Sequence, residues 1–298
     1  MSYAGWILLT ASLVGLSCGL IGALLILRRM AMMADAISHT VLPGIVVAYL
    51  VTRELSGVHM LVGAAAAGLL TAVLVQWLHA RGVQQEASIG VVFTALFAIG
   101  VVLIATKVGN VHLDVQHALM GDITFIPWER TELPWIGSVP EAVVVLTVVF
   151  VVLLAAVLLF YKEWKITSFD AALAASLGIP VALMHYVFMT LVSMTAVAAF
   201  DAVGAVMVVA MLITPAAAAY LWTDRLSVMM AISCAFGVFS AFTGYYLALW
   251  LDTSISGSMA FSTGIVFLAS FLFSPKHGLA ARRLLRPRPS RRREGSAS

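Results

Sequence analysis

The sequence predicts an all-α polytopic integral membrane protein, a bundle of eight or nine transmembrane helices with one short helix on the cytoplasmic side. Three observations carry that expectation. Apolar residues make up 62% of the 298-residue chain and charged residues only 10%, with a mean hydropathy of +1.04; soluble domains hold roughly 45–50% apolar and about 25% charged residues. Apolar runs of about 20 residues recur along the length, each long enough to cross a bilayer core, whereas a transmembrane β-barrel would show short alternating segments. The basic residues, finally, gather on one side of the spans those runs define.

The first span, 5–27, holds no charged residue, and Gly15 and Gly19 form a GxxxG pair suited to close helix approach. It begins MSYAGWILLT, with neither a basic stretch nor a small-residue cleavage site, so no removable signal peptide is expected. The second span, 30–51, carries Asp35, His39 and Pro43 inside its apolar run. The third, 58–79, contains GAAAAG (Gly63–Gly68), another small-residue face, and the fourth covers 88–107. A polar outer loop, 108–138, leads to the fifth span, 139–161.

The apolar pattern then stops at KEWKITSFDAALAASLGIP, Lys162 to Pro180. Thr167 or Ser168 can cap a short helix there, with Asp170 in its first turn and Gly178 and Pro180 closing it. Spans six to nine follow at 179–199, 201–222, 228–250 and 257–274. Asp201 stands at an outer boundary as a helix N-terminal residue, favoured by the helix dipole, and Pro215 kinks the seventh span. Either 30–51 or the 179–222 region can be broken or re-entrant, which leaves the count at eight or nine. Cys18 and Cys234 lie within spans, without metal-site spacing, and read as small buried hydrophobes.

With nine spans, one side holds Arg28, Arg29, Arg81, Lys162, Lys165, Arg225 and the eight basic residues from Lys276 onward; the other holds only Arg53, Lys107 and Arg130. Fourteen against three places the richer side in the cytoplasm. Residues 1–278 then form the membrane domain and 279–298 a basic, disordered cytoplasmic tail, RRLLRPRPSRRR at its heart. That tail reads as a topology anchor touching anionic membrane lipid, with no nucleic-acid role. The outer side collects Glu54, Asp114, Asp122, Glu129, Glu132, Glu141 and Asp252, an acidic face that would concentrate cations.

Chemistry points first to MMADAISHTVLPG, Met32 to Gly44. A charge in the hydrocarbon region costs several kcal/mol on scales that disagree widely, so ionisable residues there default to a functional role. Residues i and i+4 share a helix face, which aligns Asp35, His39 and Pro43. Pro43 cannot donate to the carbonyl of His39. Carboxylate, imidazole and a freed carbonyl, with Ser38 beside them, suit a divalent cation such as Mn²⁺ or Zn²⁺. Two side chains do not fill a coordination shell; other spans, a second subunit or water must supply the rest. The competing reading is that Asp35 and His39 pair with each other or a neighbour to fix helix packing. His112, Asp114, His117 and Asp122 in the outer loop match no ligand motif and read as solvated, and His185 reads as packing. There is no GxxxxGK[ST] phosphate loop, HExxH or GxSxG, so the chain is expected to be no enzyme and to hydrolyse no ATP itself.

Taken together and in order, several stretches resemble one family. MADAISHTVLPGIVVAYL is similar to the GDALSHAVLPG signature of the zinc/manganese/iron-type ABC transporter permeases. ASIGVVFTALFAIGVVLI, SFDAALAASLGI and VGAVMVVAMLITPAAAAYL match later blocks, and YYLALWLDTSISGSMAFSTGIVFLASFLFSPKHG is similar to the manganese-type subgroup. The resemblance runs from Gly15 to Gly278, departs at Ala34 where the signature often has glycine, and leaves the arginine-rich tail outside. It implies a channel of two permease copies or related permeases, driven by two cytoplasmic ABC ATPase subunits and fed by an extracytoplasmic solute-binding protein. It makes Asp35 and His39 the metal contacts, and Ser168 to Ile179 the coupling helix that seats in the ATPase, with Ser168, Phe169, Asp170, Ala174 and Gly178 as its marks. The cargo is then Mn²⁺ first, Zn²⁺ next and Fe²⁺ as a further option, with no permanently bound cofactor, in the plasma or inner membrane. The alternatives are a permease for metal chelates, which predicts a wide, ligand-poor cavity, and a proton-coupled cation transporter using Asp35 and needing no ATPase. An intramembrane metalloenzyme is a poor third, having no nucleophile or general-base motif.

Overall fold

The computed structural model describes residues 3–52, 57–107, 123–124, 126–128, 130–133 and 137–275. The tail 279–298, the loop residues His112, Asp114, His117 and Asp122, and the acidic Glu54 and Glu129 lie outside the described residues. Among the described residues, eight helices are long and apolar enough to cross a membrane. They are α1 (Tyr3–Leu27), α2 (Ala31–Thr52), α3 (Gly57–Ala80), α4 (Gln85–Lys107), α5 (Glu141–Leu159), α8 (Val181–Val203), α10 (Leu226–Leu251) and α11 (Ile255–Phe273). Two short helices, α6 (Tyr161–Phe169) and α7 (Ala171–Ser176), follow α5, and α9 (Ala205–Tyr220) sits between α8 and α10. At 1.5 Å per residue α9 reaches about 24 Å, short of the ~30 Å core. The eight-or-nine ambiguity is therefore a property of α9.

The segment between α4 and α5 holds an element that was not expected: β1 (Arg130–Leu133) and β2 (Gly137–Pro140) form an antiparallel pair, Arg130 opposite Pro140. It moves the start of α5 to Glu141. The second span stays one helix through Pro43, while the 179–222 region breaks at Gly204, whose φ of +82° ends α8 and starts α9. That break corrects the reading of Asp201. It occupies the last turn of α8, not a helix N-terminus, because the chain turns three residues later, where glycine permits a left-handed backbone.

The core centres on α1, whose buried face packs against α10, α9, α5 and α8. Lipid is as apolar as leucine, so helix association in a bilayer depends on close packing of small residues. The glycine pair does this: a Cβ on Gly15 would lie 2.8 Å from the carbonyl carbon of Gly237, and one on Gly19 2.9 Å from the carbonyl oxygen of Ser233. In a second group α2 packs with α3 and α4, and α2 and α3 join it to α8; between α3 and α2 a Cβ on Gly63 would stand 2.6 Å from the carbonyl oxygen of Gly44. Ala34 is fully buried, so its methyl fits where the signature often has glycine. The Ser274 hydroxyl donates to the carbonyl of Leu221, which brings the ends of α11 and α9 to one face of the bundle.

Candidate functional site

Asp35 and His39 lie in the second and third turns of α2, with Nε2 of His39 3.7 Å from Oδ1 of Asp35. That distance is beyond a hydrogen bond, so the pair is adjacent rather than locked. Ala34, Ala36, Ile37, Ser38 and Thr40 around them are buried, yet these two side chains keep 37 and 40% of their surface open. Both are half-buried, Asp35 beside His39 on the side of α2 that faces α4. Among the described residues neither makes a hydrogen bond to another helix; the contact His39 has with α4 is through its ring.

Neighbours set the wall of the site. The His39 ring meets Phe93 and Phe97 of α4, with centroids 5.8 and 6.0 Å away. One turn on, Pro43 leans on α4 at Gly100, where a Cβ would lie 2.9 Å from Pro43 Cδ. On the opposite flank Thr71 donates to Thr40 at 2.9 Å, tying α3 to α2. Ser38, grouped with the pair on sequence grounds, turns away: it is buried and its hydroxyl donates to the Ala34 carbonyl at 2.9 Å. Among the described residues no group of three or more His, Cys, Asp or Glu side chains gathers here or elsewhere. The chain thus presents one carboxylate and one imidazole side by side and half-exposed, ligand types that divalent transition-metal ions accept.

The second element lies at the bundle end where Arg28 closes α1. Trp164 of α6 is fully buried between Phe160, tilted against it, and Phe188, edge-on to it, and its indole N–H donates to the Met184 carbonyl at 3.3 Å. This anchors α6 to the start of α8. The chain extends at Asp170 (φ −147°, ψ 98°), whose Oδ1 accepts from the Leu173 N–H at 2.9 Å. Asp170 is thus the N-cap of α7, correcting the expected cap at Thr167 or Ser168; those two sit in the last turn of α6. At the other end Gly178 takes φ +80°, the N–H of Ile179 bonds the Ala174 carbonyl, and that of Gly178 bonds Ala175. That pairing is a Schellman closure.

Of the residues read from the sequence, Phe169 faces outward, Ala174 is buried, Gly178 supplies the turn, and Ser168 points inward to bond the Trp164 carbonyl at 2.6 Å. Phe169, Leu173 and Leu177, one turn apart, remain 50 to 63% exposed, an apolar ridge at the polar end of the molecule. Leu173, Leu177, Trp164, Phe93, Phe97 and Arg28 escaped the sequence reading. Apolar side chains within apolar runs carry no mark of which face they take, and Arg28 was absorbed into the basic-side pattern. His185, near Arg28, packs its ring edge-on to Tyr186 as a packing residue.

Comparison with known proteins adds to this geometry. A family model described as the ABC 3 transport family matches residues 2–274. The chain is 55% identical over 284 residues to the manganese transport system membrane protein MntD of Bacillus subtilis (strain 168), covering 95% of this chain and 96% of that one. It is 42% identical over 280 residues to the zinc transport system membrane protein TroD of Treponema pallidum (strain Nichols), covering 94% of this chain and 76% of that one. Among solved structures it is similar to PsaBC from Streptococcus pneumoniae in complex with Fab, at 31% identity and a TM-score of 0.78 over 95% of each chain.

Proposed function

The chain belongs to the ABC 3 transport family, and from that premise we propose that it is the membrane permease subunit of an ATP-driven importer of divalent transition-metal ions, Mn²⁺ foremost, with Zn²⁺ and then Fe²⁺ behind it. One observation carries the reading: an aspartate and a histidine 3.7 Å apart and half-exposed on a membrane helix, with no hydrogen bond to another helix among the described residues. The manganese in the name of the 55% identical relative supports the order of metals. A carboxylate and an imidazole suit Mn²⁺ and Zn²⁺ alike, so the ligand types alone do not choose.

In this reading an extracytoplasmic solute-binding protein releases the ion into the permease. Asp35 and His39 replace part of its hydration shell, and a second permease copy, or water, completes the coordination. Two side-chain ligands per chain hold the ion loosely enough for it to leave, as conduction demands. The ridge Phe169, Leu173 and Leu177, with its rigidly capped helix, seats in a cytoplasmic ABC ATPase subunit, which supplies the nucleotide site that this sequence lacks. That places Arg28, α6, α7 and the basic tail in the cytoplasm of a cell-membrane protein. Radioactive Mn²⁺ uptake, in cells whose only manganese importer is this permease with its ATPase, tests the reading. The Asp35→Ala, His39→Ala double variant is expected to lose uptake while still co-purifying with the ATPase. Undiminished accumulation rejects the site, and ion uptake by the chain alone in proteoliposomes under a proton gradient rejects the ATP-driven class.

A further inference from the structure

We propose that Arg28 is the positioning residue that ties the ATPase-docking segment to the helix carrying Asp35 and His39; the inference rests on the permease reading above. Arg28 directly follows α1, and its guanidinium reaches across the fold to the last turn of α6. Nε donates to Ser168 Oγ at 3.0 Å and an Nη2 hydrogen to Thr167 Oγ1 at 2.9 Å. The acceptor roles are forced. Both hydroxyls already spend their proton on the Trp164 carbonyl, at 2.6 and 3.3 Å, so each oxygen has only lone pairs to offer, and a guanidinium has only donors. Its carbon sits 4.6 Å over the centre of the Phe188 ring, which itself packs edge-on against Trp164. Among the described residues no carboxylate pairs with Arg28. A charge placed only to set topology would snorkel into the headgroups; this one is drawn inward, and burial pulls its guanidinium down to about 10, still protonated at neutral pH.

The other end of the link has no slack. Only Arg28, Arg29 and Met30 separate α1 from α2, and each is fixed. Arg29 takes the left-handed φ of +57°, its N–H bonds the Ile26 carbonyl, and the N–H of Met30 bonds Leu25. The Met30 carbonyl then accepts from Met33 N–H at 3.0 Å, inside the first turn of α2. Asp35 follows within the next turn of the same helix. The last turn of α6 is therefore joined through one fork of hydrogen bonds and a locked three-residue turn to the rod that bears the ion ligands. The apolar ridge begins at Phe169, directly after the two hydroxyls. Force applied to the ridge reaches α2 through Arg28 as well as through the Trp164 contact with α8.

The test is made on the whole transporter, permease with ATPase, reconstituted in proteoliposomes, with Mn²⁺ uptake and ATP hydrolysis measured in the same vesicles. Losing a two-point charged hydrogen bond lowers the Mn²⁺ moved per ATP by about tenfold in Arg28→Gln, while hydrolysis continues. Arg28→Lys, which keeps the charge but gathers its donors on one nitrogen in place of the planar fork, recovers part of the ratio. The Thr167→Val, Ser168→Ala variant removes the acceptors without touching the arginine, lowers the ratio as far, and adds nothing when combined with Arg28→Gln. The inference is overturned if uptake and hydrolysis fall by the same factor, if the ratio is unchanged, if the two sets of changes add, or if Arg28→Gln no longer assembles, which would make Arg28 a folding residue. Failure of the permease reading itself would be visible separately, as wild-type vesicles that take up no Mn²⁺ with ATP.

Discussion

Replacing Asp170 with alanine isolates the contribution of a single hydrogen bond to docking. Helix α7 has six residues, too few to hold together by propensity alone, since isolated helices shorter than about 12 residues are marginal in water. Its N-terminus rests on the 2.9 Å bond from Leu173 N–H to Asp170 Oδ1, and its other end on the Gly178 closure. Loss of an N-cap costs about 1 kcal/mol, which lowers the ratio of formed to unformed α7 about fivefold. The ridge is continuous only when α7 is formed, so the apparent affinity for the ATPase subunit falls by up to about fivefold, the share of competent molecules lost. Titrating the permease in nanodiscs with its purified ATPase measures this. Asp170→Ser keeps a capping oxygen and is expected to stay within about twofold of wild type. Undiminished binding by Asp170→Ala would refute the capping argument, and Asp170→Ser binding as weakly as alanine would show that the carboxylate contacts the partner instead.

Two further outcomes follow from packing. Gly237→Leu drives a side chain into the backbone of Gly15, from which a Cβ at 237 stands 2.6 Å (to the carbonyl oxygen); overpacking of this kind costs roughly 1–3 kcal/mol, read as a lowered thermal unfolding temperature in detergent, whereas Gly264→Leu, with open space around it, leaves that temperature unchanged. Trp164→Ala empties a fully buried site and costs roughly 3–5 kcal/mol, while Trp164→Phe keeps an aromatic ring between Phe160 and Phe188 and loses mainly the bond to Met184, about 1 kcal/mol; protease accessibility of α6 and α7 in membranes ranks the three proteins, and equal protection of all three would contradict the anchoring role.

Much of this was legible in the chain because bilayers impose simple lengths. Every long helix coincides with an apolar run, and Asp35 and His39 announced themselves as ionisable groups where hydrocarbon should penalise them. The small-residue pairs at Gly15 and Gly63 named their own interfaces. What failed was decided by distant partners. Thr167, Ser168 and Asp170 are all capable caps, and the choice among them follows from the burial of Trp164, which extends α6 past the first two. Asp201 was misplaced because the break at Gly204 depends on one backbone angle inside an unbroken apolar stretch. Arg28 lies 139 residues from Thr167 in sequence, and nothing local distinguishes a clamp from a topology charge. Ser38 shares the turn with Asp35 and His39, yet α-helical geometry sends it to the buried side.

The account stands or falls on whether a passing ion meets Asp35 and His39. Pulsed electron paramagnetic resonance of Mn²⁺ loaded into the assembled transporter reads the nitrogen neighbours of the metal directly. An imidazole nitrogen coupling in the wild-type protein that vanishes in His39→Ala is the result expected here. The same coupling, undiminished in that variant, would mean that the ion is held elsewhere.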